Sequence, residues 1–268
     1  MTIKLTLIIT TYNREDALLA VLETVLTQTQ LPDEIVVADD GSKKPTEDAI
    51  NSFKQRSPIP VIHAWQEDSG FRAARIRNMA IVRSSGEYLV FIDGDILLDR
   101  HFIADHYRNA QPGLFIQGGR LLLSPEKTED ILQEQKEAAS FSLLSNGVSG
   151  RHKMVHSDTL SALFSQINSK TKGSRTCNFA LWRSDALKVN GFNEDFQGWG
   201  REDSEFVIRL FFSGLKRKKL AFNAIGFHLH HPLQSREALE ANDEIIRQTS
   251  DSKESRCKSG INNHLSDP

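Results

Sequence analysis

Four short runs of apolar, largely β-branched residues mark the first third of the chain, at residues 5–9, 34–38, 60–64 and 87–92. They lack a polar face, which is how a strand reads when both sides of its sheet are covered. Helical stretches separate them. Residues 15–28 set Leu18, Val21, Leu22, Val25 and Leu26 on one stripe, and residues 48–56 and 71–82 have helical spacing too. Strand–helix alternation with short connections predicts an α/β fold, with a mostly parallel central sheet flanked by helices.

Several classes are excluded. No G-x-G-x-x-G follows the first strand, where Thr10-Thr-Tyr-Asn-Arg14 stands instead, and no G-x-x-x-x-G-K-[ST] occurs, which argues against a dinucleotide dehydrogenase and a P-loop NTPase. The balance of 33 Lys+Arg against 35 Asp+Glu, a net charge of −2, supplies no dense basic face for nucleic acid. Two cysteines, Cys177 and Cys257, cannot build a disulfide framework. The longest apolar runs fall far short of the roughly 20 residues of a spanning helix, and Tyr12, Asn13 and Arg14 interrupt the first run too early for a signal segment. The expectation is a cytoplasmic protein, unless it rests on a membrane surface.

The most informative stretch is Phe91-Ile92-Asp93-Gly94-Asp95. A buried strand delivers two carboxylates to its C-terminal end, the edge at which open α/β sheets bind ligands. Two acids so close repel unless a cation joins them, and Mg²⁺ or Mn²⁺ on such oxygens shares its shell with phosphates. A strand-ending turn is the plainer reading, since Asp and Gly are common there. Asp39-Asp-Gly-Ser42 ends the second run in the same way, and Thr10 to Asn13 end the first. Together they would line one cleft, a nucleoside-diphosphate site.

On these motifs the sequence resembles family 2 glycosyltransferases of the GT-A fold. The matching segments are Thr10–Arg14, Asp39–Ser42, Gly70-Phe-Arg72 with Arg77-Asn78, and Asp93-Gly-Asp95. Further on, Gly191-Phe192 and Gly198-Trp-Gly-Arg-Glu-Asp-Ser-Glu205 resemble the acceptor-side segment of β-1,4-galactosyltransferases and chondroitin-polymerase-type enzymes. The resemblance implies a UDP-sugar donor and an inverting transfer to a glycan or lipid-linked glycan acceptor of the lipopolysaccharide or capsule type, with peripheral attachment at the inner membrane face. It implies that Asp40 binds the uracil in a pocket with Thr10 and Tyr12, and that Arg14 belongs to the nucleotide site. Asp93 would face ribose and metal, and Asp95 would hold the metal on the diphosphate. Arg72 and Arg77 would contact the diphosphate or orient neighbouring acids, or else simply pair charges on an exposed helix.

The acceptor hydroxyl must lose a proton to a carboxylate opposite the leaving group. Glu202-Asp203 precedes an apolar stripe of Phe206, Ile208, Leu210 and Phe211, so Asp203 is an N-cap or first-turn residue whose charge the helix dipole favours. By resemblance Asp203 is the general base and Glu202 binds a sugar hydroxyl. Trp199 beside Gly200 suits a sugar-binding loop, and the resemblance implies that Asn178 lines the donor-sugar pocket. Three histidines follow in Gly226-Phe-His-Leu-His-His-Pro232. Strand alternation would turn His228 and His230 to one face and His231 to the other; the resemblance singles out His228 as the third metal ligand, with imidazole favouring Mn²⁺ over Mg²⁺.

The expected organisation is a nucleotide-sugar half at 1–123, an acceptor and catalytic half at 124–232 with a charged helix over 126–141, and a polar tail at 233–268, mobile from Thr249. Lys216-Arg-Lys-Lys219 reads as a solvated strand edge that would also suit a membrane surface. Two other functions use such acids: a nucleotidyltransferase, which would want a glycine-rich basic loop after the first strand, and a non-catalytic glycan-binding protein of the same fold.

Overall fold

The computed structural model describes residues 3–134, 146–232 and 237–265. The first third runs β1 (Leu5–Thr11), α1 (Glu15–Leu26), β2 (Glu34–Asp39), α2 (Lys44–Arg56), β3 (Val61–Trp65), α3 (Ala73–Arg83) and β4 (Tyr88–Asp93). Next come β5 (Ile96–Leu98), α4 (Phe102–Asn109), β6 (Leu114–Gln117), β7 (Arg120–Leu122) and α5 (Pro125–Glu134). After a 3₁₀ turn at Arg151–Met154 follow α6 (Asp158–Phe164), β8 (Gln166–Asn168), β9 (Asn178–Trp182) and α7 (Arg183–Lys188). The last elements are α8 (Glu202–Phe212), β10 (Lys216–Lys219), β11 (Gly226–His228) and α9 (Leu239–Ser252).

The main sheet has the order β3-β2-β1-β4-β9-β6-β10-β8, and β5-β11-β7 form a second, small sheet. Strands β3, β2, β1 and β4 are mutually parallel; β9 runs against β4 and β6, and β8 against β10. Both faces of the parallel part are covered. Leu5, Leu7 and Ile9 pack with Leu18, Val21, Leu22 and Val25 of α1 and Phe53 of α2. On the other face Ile8, Val36 and Ala38 pack with Ile76 and Ala80 of α3 and with Phe192 and Phe206. Each fully buried side chain of this size contributes about 1.5–3 kcal/mol, so a period of two on the strands and of 3.6 on the helices determines this layering.

Register places the site. Thr11 pairs with Asp39 and Thr10 with Asp93, which aligns the C-terminal ends of β1, β2 and β4. Since β9 is antiparallel to β4, with Asn178 opposite Ile92, its first residues reach the same edge.

Three expectations are corrected. The C-terminal stretch is not a loose polar tail: beyond Thr249, helix α9 continues to Ser252, and Cys257, Ile261 and His264 are buried. Asn190 donates to Cys257 O, the Thr249 hydroxyl donates to Glu205 and the His264 ring pairs with Glu194, and sparse apolar residues could not announce these. Lys216–Lys219 is no edge, because β10 lies between β6 and β8 and Arg217 is buried against Asn168 and Gln117. The helix expected over 126–141 is α5 as far as Glu134; its remainder lies outside the described residues.

Candidate active site

Two loops at the sheet edge are tied together first. Asn13, in the left-handed region at φ 47°, donates its N–H to Ser42 Oγ at 2.8 Å, and its side-chain oxygen accepts from Lys43 N at 2.9 Å. Asp39 accepts from Ser42 N at 2.8 Å and lies 2.9 Å from His63 Nε2. Asp40 is buried and accepts from Arg72 N at 2.9 Å and from Gln66 Nε2. Burial pushes its carboxyl up, and those two donors oppose the shift. Tyr12, half exposed beside it, donates to Asp68 at 3.1 Å. The Arg72 guanidinium donates to Glu67 O, so this residue serves the Asp40 loop by its backbone and is not part of the acid cluster described next.

Arg77 stands at the centre of that cluster. It is buried in α3, correcting the idea of pairing on an exposed helix. Its nitrogens lie 3.5 Å from Asp93, 3.5 Å from Glu202, 3.4 Å from Asp203 and 3.4 Å from Thr10 Oγ1. The acidic ends of β4 and α8 are therefore joined across one cation. Glu202 is the first helical residue and Asp203 the second, so Asp203 lies in the first turn, after Arg201 at φ 80°. Thr176, just before β9, donates its N–H to Asp203 Oδ2 at 2.9 Å and its hydroxyl to Oδ1 at 2.6 Å. Burial, and then the Asp203 anion, push the Glu202 carboxyl up to about 7 while Arg77 pulls it down. Asp203 is the more open of the two, its side chain 23% exposed against 9% for Glu202.

Next to Asp93 lies a second group. Asp95 is 3.5 Å from Arg14 Nη1, 3.5 Å from His228 Nε2 and 3.5 Å from His231 Nε2. Asp95, His228 and His231 each offer a ligand atom, all within 4.8 Å of one another. The buried Oδ1 of Asp95 has no hydrogen-bond partner, and burial pushes the His228 imidazole down to about 3, leaving it as the neutral ligand form. One carboxylate and two imidazoles suit Mn²⁺ better than Mg²⁺. Strand β11 ends at His228, and the chain then leaves the strand path. This is why His231, not His230, shares the site, against the expected alternation. Asp93 faces Arg77 and is not part of this ligand group. The other cluster of three such side chains among the described residues, Asp105–His156–Asp158, already takes Asn223, Ala224 N and Arg108.

The structure does not bring Asn178 to the cleft. Its amide nitrogen donates to Gly119 O at 2.8 Å and Ala224 O at 2.7 Å, and its oxygen lies 3.2 Å from His106 Nε2. Trp199 is 39% exposed on the loop before α8, and Gly200 beside it has φ 111°. Thr176 and His231 join the site without having been predicted. Thr176 carries no residue-type signal, whereas the clustering of three histidines did mark the His231 segment.

Residues 6–171 match the sequence profile of glycosyl transferase family 2, and residues 159–232 that of the N-terminal domain of galactosyltransferase. The validoxylamine A glucosyltransferase of Streptomyces hygroscopicus subsp. limoneus is 28% identical over 234 residues, covering 79% of this chain and 48% of the relative. The chondroitin synthase of Pasteurella multocida (strain Pm70) is 27% identical over 230 residues, covering 79% and 23%. The chain thus spans about half the length of the first and under a quarter of the second. Among solved structures, S. aureus TarS 1–349 superposes with a TM-score of 0.59 at 17% identity, covering 91% of this chain and 64% of that one. The mannosyltransferase PcManGT from Pyrobaculum calidifontis, in complex with GDP-Man and Mn²⁺, superposes at 0.55 and 18%, covering 92% and 61%. These likenesses establish the GT-A fold.

Proposed function

Because the chain belongs to glycosyl transferase family 2, we propose that it moves one sugar from a UDP-sugar to a hydroxyl of a surface glycan of the lipopolysaccharide or capsule type, with inversion at the anomeric carbon. The observation that carries this reading is the Arg77 junction, which sets the acid at the end of β4 within one guanidinium of the Glu202–Asp203 pair. A donor diphosphate beside Asp93 and Asp95 and an acceptor beside Asp203 would then share one cavity.

Each residue has a part in this reading. Asp40 keeps lone pairs for a uracil N–H beyond the two donors it already holds, and Thr10 and Tyr12 would complete its pocket. Arg14 adds positive charge where the diphosphate would lie. Asp95, His228 and His231 would hold a divalent cation, which supplies positive charge to the departing diphosphate. Asp203 takes the acceptor proton; Thr176 fixes its carboxylate with two donors, so the oxygen facing the acceptor needs no rearrangement. Glu202, able to keep its proton near neutrality, offers a donor to a sugar hydroxyl. The exposed indole of Trp199 is a face for a sugar ring. Among the described residues no helix is long and apolar enough to cross a membrane; a lipid-linked acceptor reached from the cytoplasmic face belongs to the same proposal.

Asp203→Asn tests it. The substitution keeps the shape of the side chain and removes its basicity, so transfer should fall by about 10²–10⁴-fold. The rise in melting temperature given by UDP with Mn²⁺ should persist. Loss of both in equal measure would make Asp203 a structural residue and overturn the assignment.

A further inference from the structure

The segment that follows the matched regions, which end at residue 232, reaches back to the loop that delivers Glu202 and Asp203. Asn242 of α9 is 2% exposed, and its amide nitrogen donates to Gly200 O at 2.9 Å and to Gln197 O at 3.3 Å. One buried amide thus holds both ends of the short turn that carries Trp199.

The first residues of α9 lie directly on the turn. A Cβ added to Gly198 would come within 2.6 Å of Ala238 Cβ, and one added to Gly200 within 2.7 Å of Leu239 Cδ2. Both glycines also have positive φ, 71° and 111°. The glycines beside Trp199 are therefore seats for the C-terminal helix and not points of flexibility. Two further ties run from the same helix to the N-cap and first turn of α8: Arg201 Nε lies 2.6 Å from Asp243, and the Thr249 hydroxyl donates to Glu205 at 3.1 Å. Arg201 is the residue immediately before Glu202.

We propose that Asn242 is a positioning residue for the acceptor side of the site: it fixes the Gln197–Gly200 turn so that Trp199 and the Glu202–Asp203 pair present one surface to the acceptor. The proposal rests on the glycosyl-transfer reading for its kinetic consequence but not for its structural one. It assigns a role to a residue buried against the turn and outside the acid and metal-ligand clusters. Loss of the amide leaves two carbonyls without a donor, and the turn gains freedom. Acceptor binding should weaken while donor binding, built on β1, β2 and β4, stays as it was.

Asn242→Ala and Asn242→Asp are compared with Asn262→Ala, which removes the side-chain oxygen that accepts from Asn190 Nδ2 in the same C-terminal segment but away from the turn. Two readouts are taken: the KM values for acceptor and UDP-sugar, and acrylamide quenching of Trp199 fluorescence in a Trp65→Phe/Trp182→Phe background. The expected result is an acceptor KM raised about tenfold, an unchanged donor KM and altered Trp199 quenching in both Asn242 variants. The Asp variant should be the worse, because it sets an anion against two carbonyls. Asn262→Ala should lower the melting temperature with neither effect. Unchanged Trp199 quenching in Asn242→Ala, or acceptor KM values that track melting temperature across all three variants, would overturn the proposal. If the wild-type protein transfers no sugar, the glycosyl-transfer reading fails and the quenching comparison still decides the role of Asn242.

Discussion

Arg77 Nη1 stands 3.4 Å from Asp203 Oδ1, although 126 positions separate the two residues. The same side chain also lies 3.5 Å from Asp93 and from Glu202. At such lengths Arg77 acts less as a hydrogen-bond donor than as a buried charge shared by three acids.

That reading ranks two substitutions. Arg77→Lys keeps the charge and loses the planar fork, and should cost about 1 kcal/mol of stability, the size of an ordinary point substitution. Arg77→Met removes the buried cation that three neighbouring carboxyls share and should cost about 3–5 kcal/mol. Urea unfolding at neutral pH checks the order; a methionine variant as stable as the lysine variant would refute the charge-sharing account.

The cation group yields a second prediction. Asp95→Ala and His231→Ala should each abolish the Mn²⁺-dependent part of the thermal shift given by UDP. His230→Ala should leave it intact, because His230 is exposed beyond the ligand group. Mn²⁺ titrations followed by melting temperature provide the comparison. Equal responses in His230→Ala and His231→Ala would remove His231 from the shell.

His231 also shows how far the sequence could be read. Residues with a local periodic signature were legible: the four parallel strands, the α1 stripe and the acids at the ends of β2 and β4 follow from spacing alone. His231 was misassigned because period-two alternation holds only while a strand lasts, and β11 stops at His228. Asn178 was assigned to the donor-sugar pocket by the resemblance alone, which says nothing of its partners here. The unsatisfied carbonyls of Gly119 and Ala224, which claim it, are brought there by chain segments far from it in sequence. The packed C-terminus was illegible for a related reason, since polar ties such as Asn242 to Gly200 and His264 to Glu194 leave no hydrophobic pattern.

A buried ion pair inside α8 supports the same site from behind. Arg209 and Glu205 are each 1% exposed and bidentately paired at 2.7 and 2.8 Å, and Arg209 also donates to Val189 O and Gly191 O. Arg209→Met strands a buried carboxylate and two carbonyls, and should cost about 3–5 kcal/mol. Adding Glu205→Gln to it should recover part of that loss, since the orphaned charge goes with it. A double variant less stable than Arg209→Met would show that Glu205 is held by its other partners, of which Thr249 is one.

His106 makes the stability of the protein depend on pH in a defined direction. Asn178 spends its amide nitrogen on two carbonyls, so its oxygen must accept, and His106 Nε2 must carry the proton at this 3.2 Å contact. The opposite ring nitrogen, Nδ1, is buried with no partner. Protonating it would place a cation where nothing receives it, and burial accordingly pushes the imidazole down from 6.5 to about 4. In the unfolded chain the same ring takes its proton below about pH 6.5. Between those values the unfolded state binds the extra proton. The contribution is therefore complete above pH 6.5 and is lost as pH falls toward 4, at up to about 1.4 kcal/mol per pH unit. His106→Gln keeps an N–H for Asn178 and cannot titrate, so it should be less stable than wild type at pH 7 and close the gap by about 3 kcal/mol at pH 4. Urea unfolding across this range measures it, and a wild-type-to-variant difference that stays constant with pH would show that His106 titrates alike in both states.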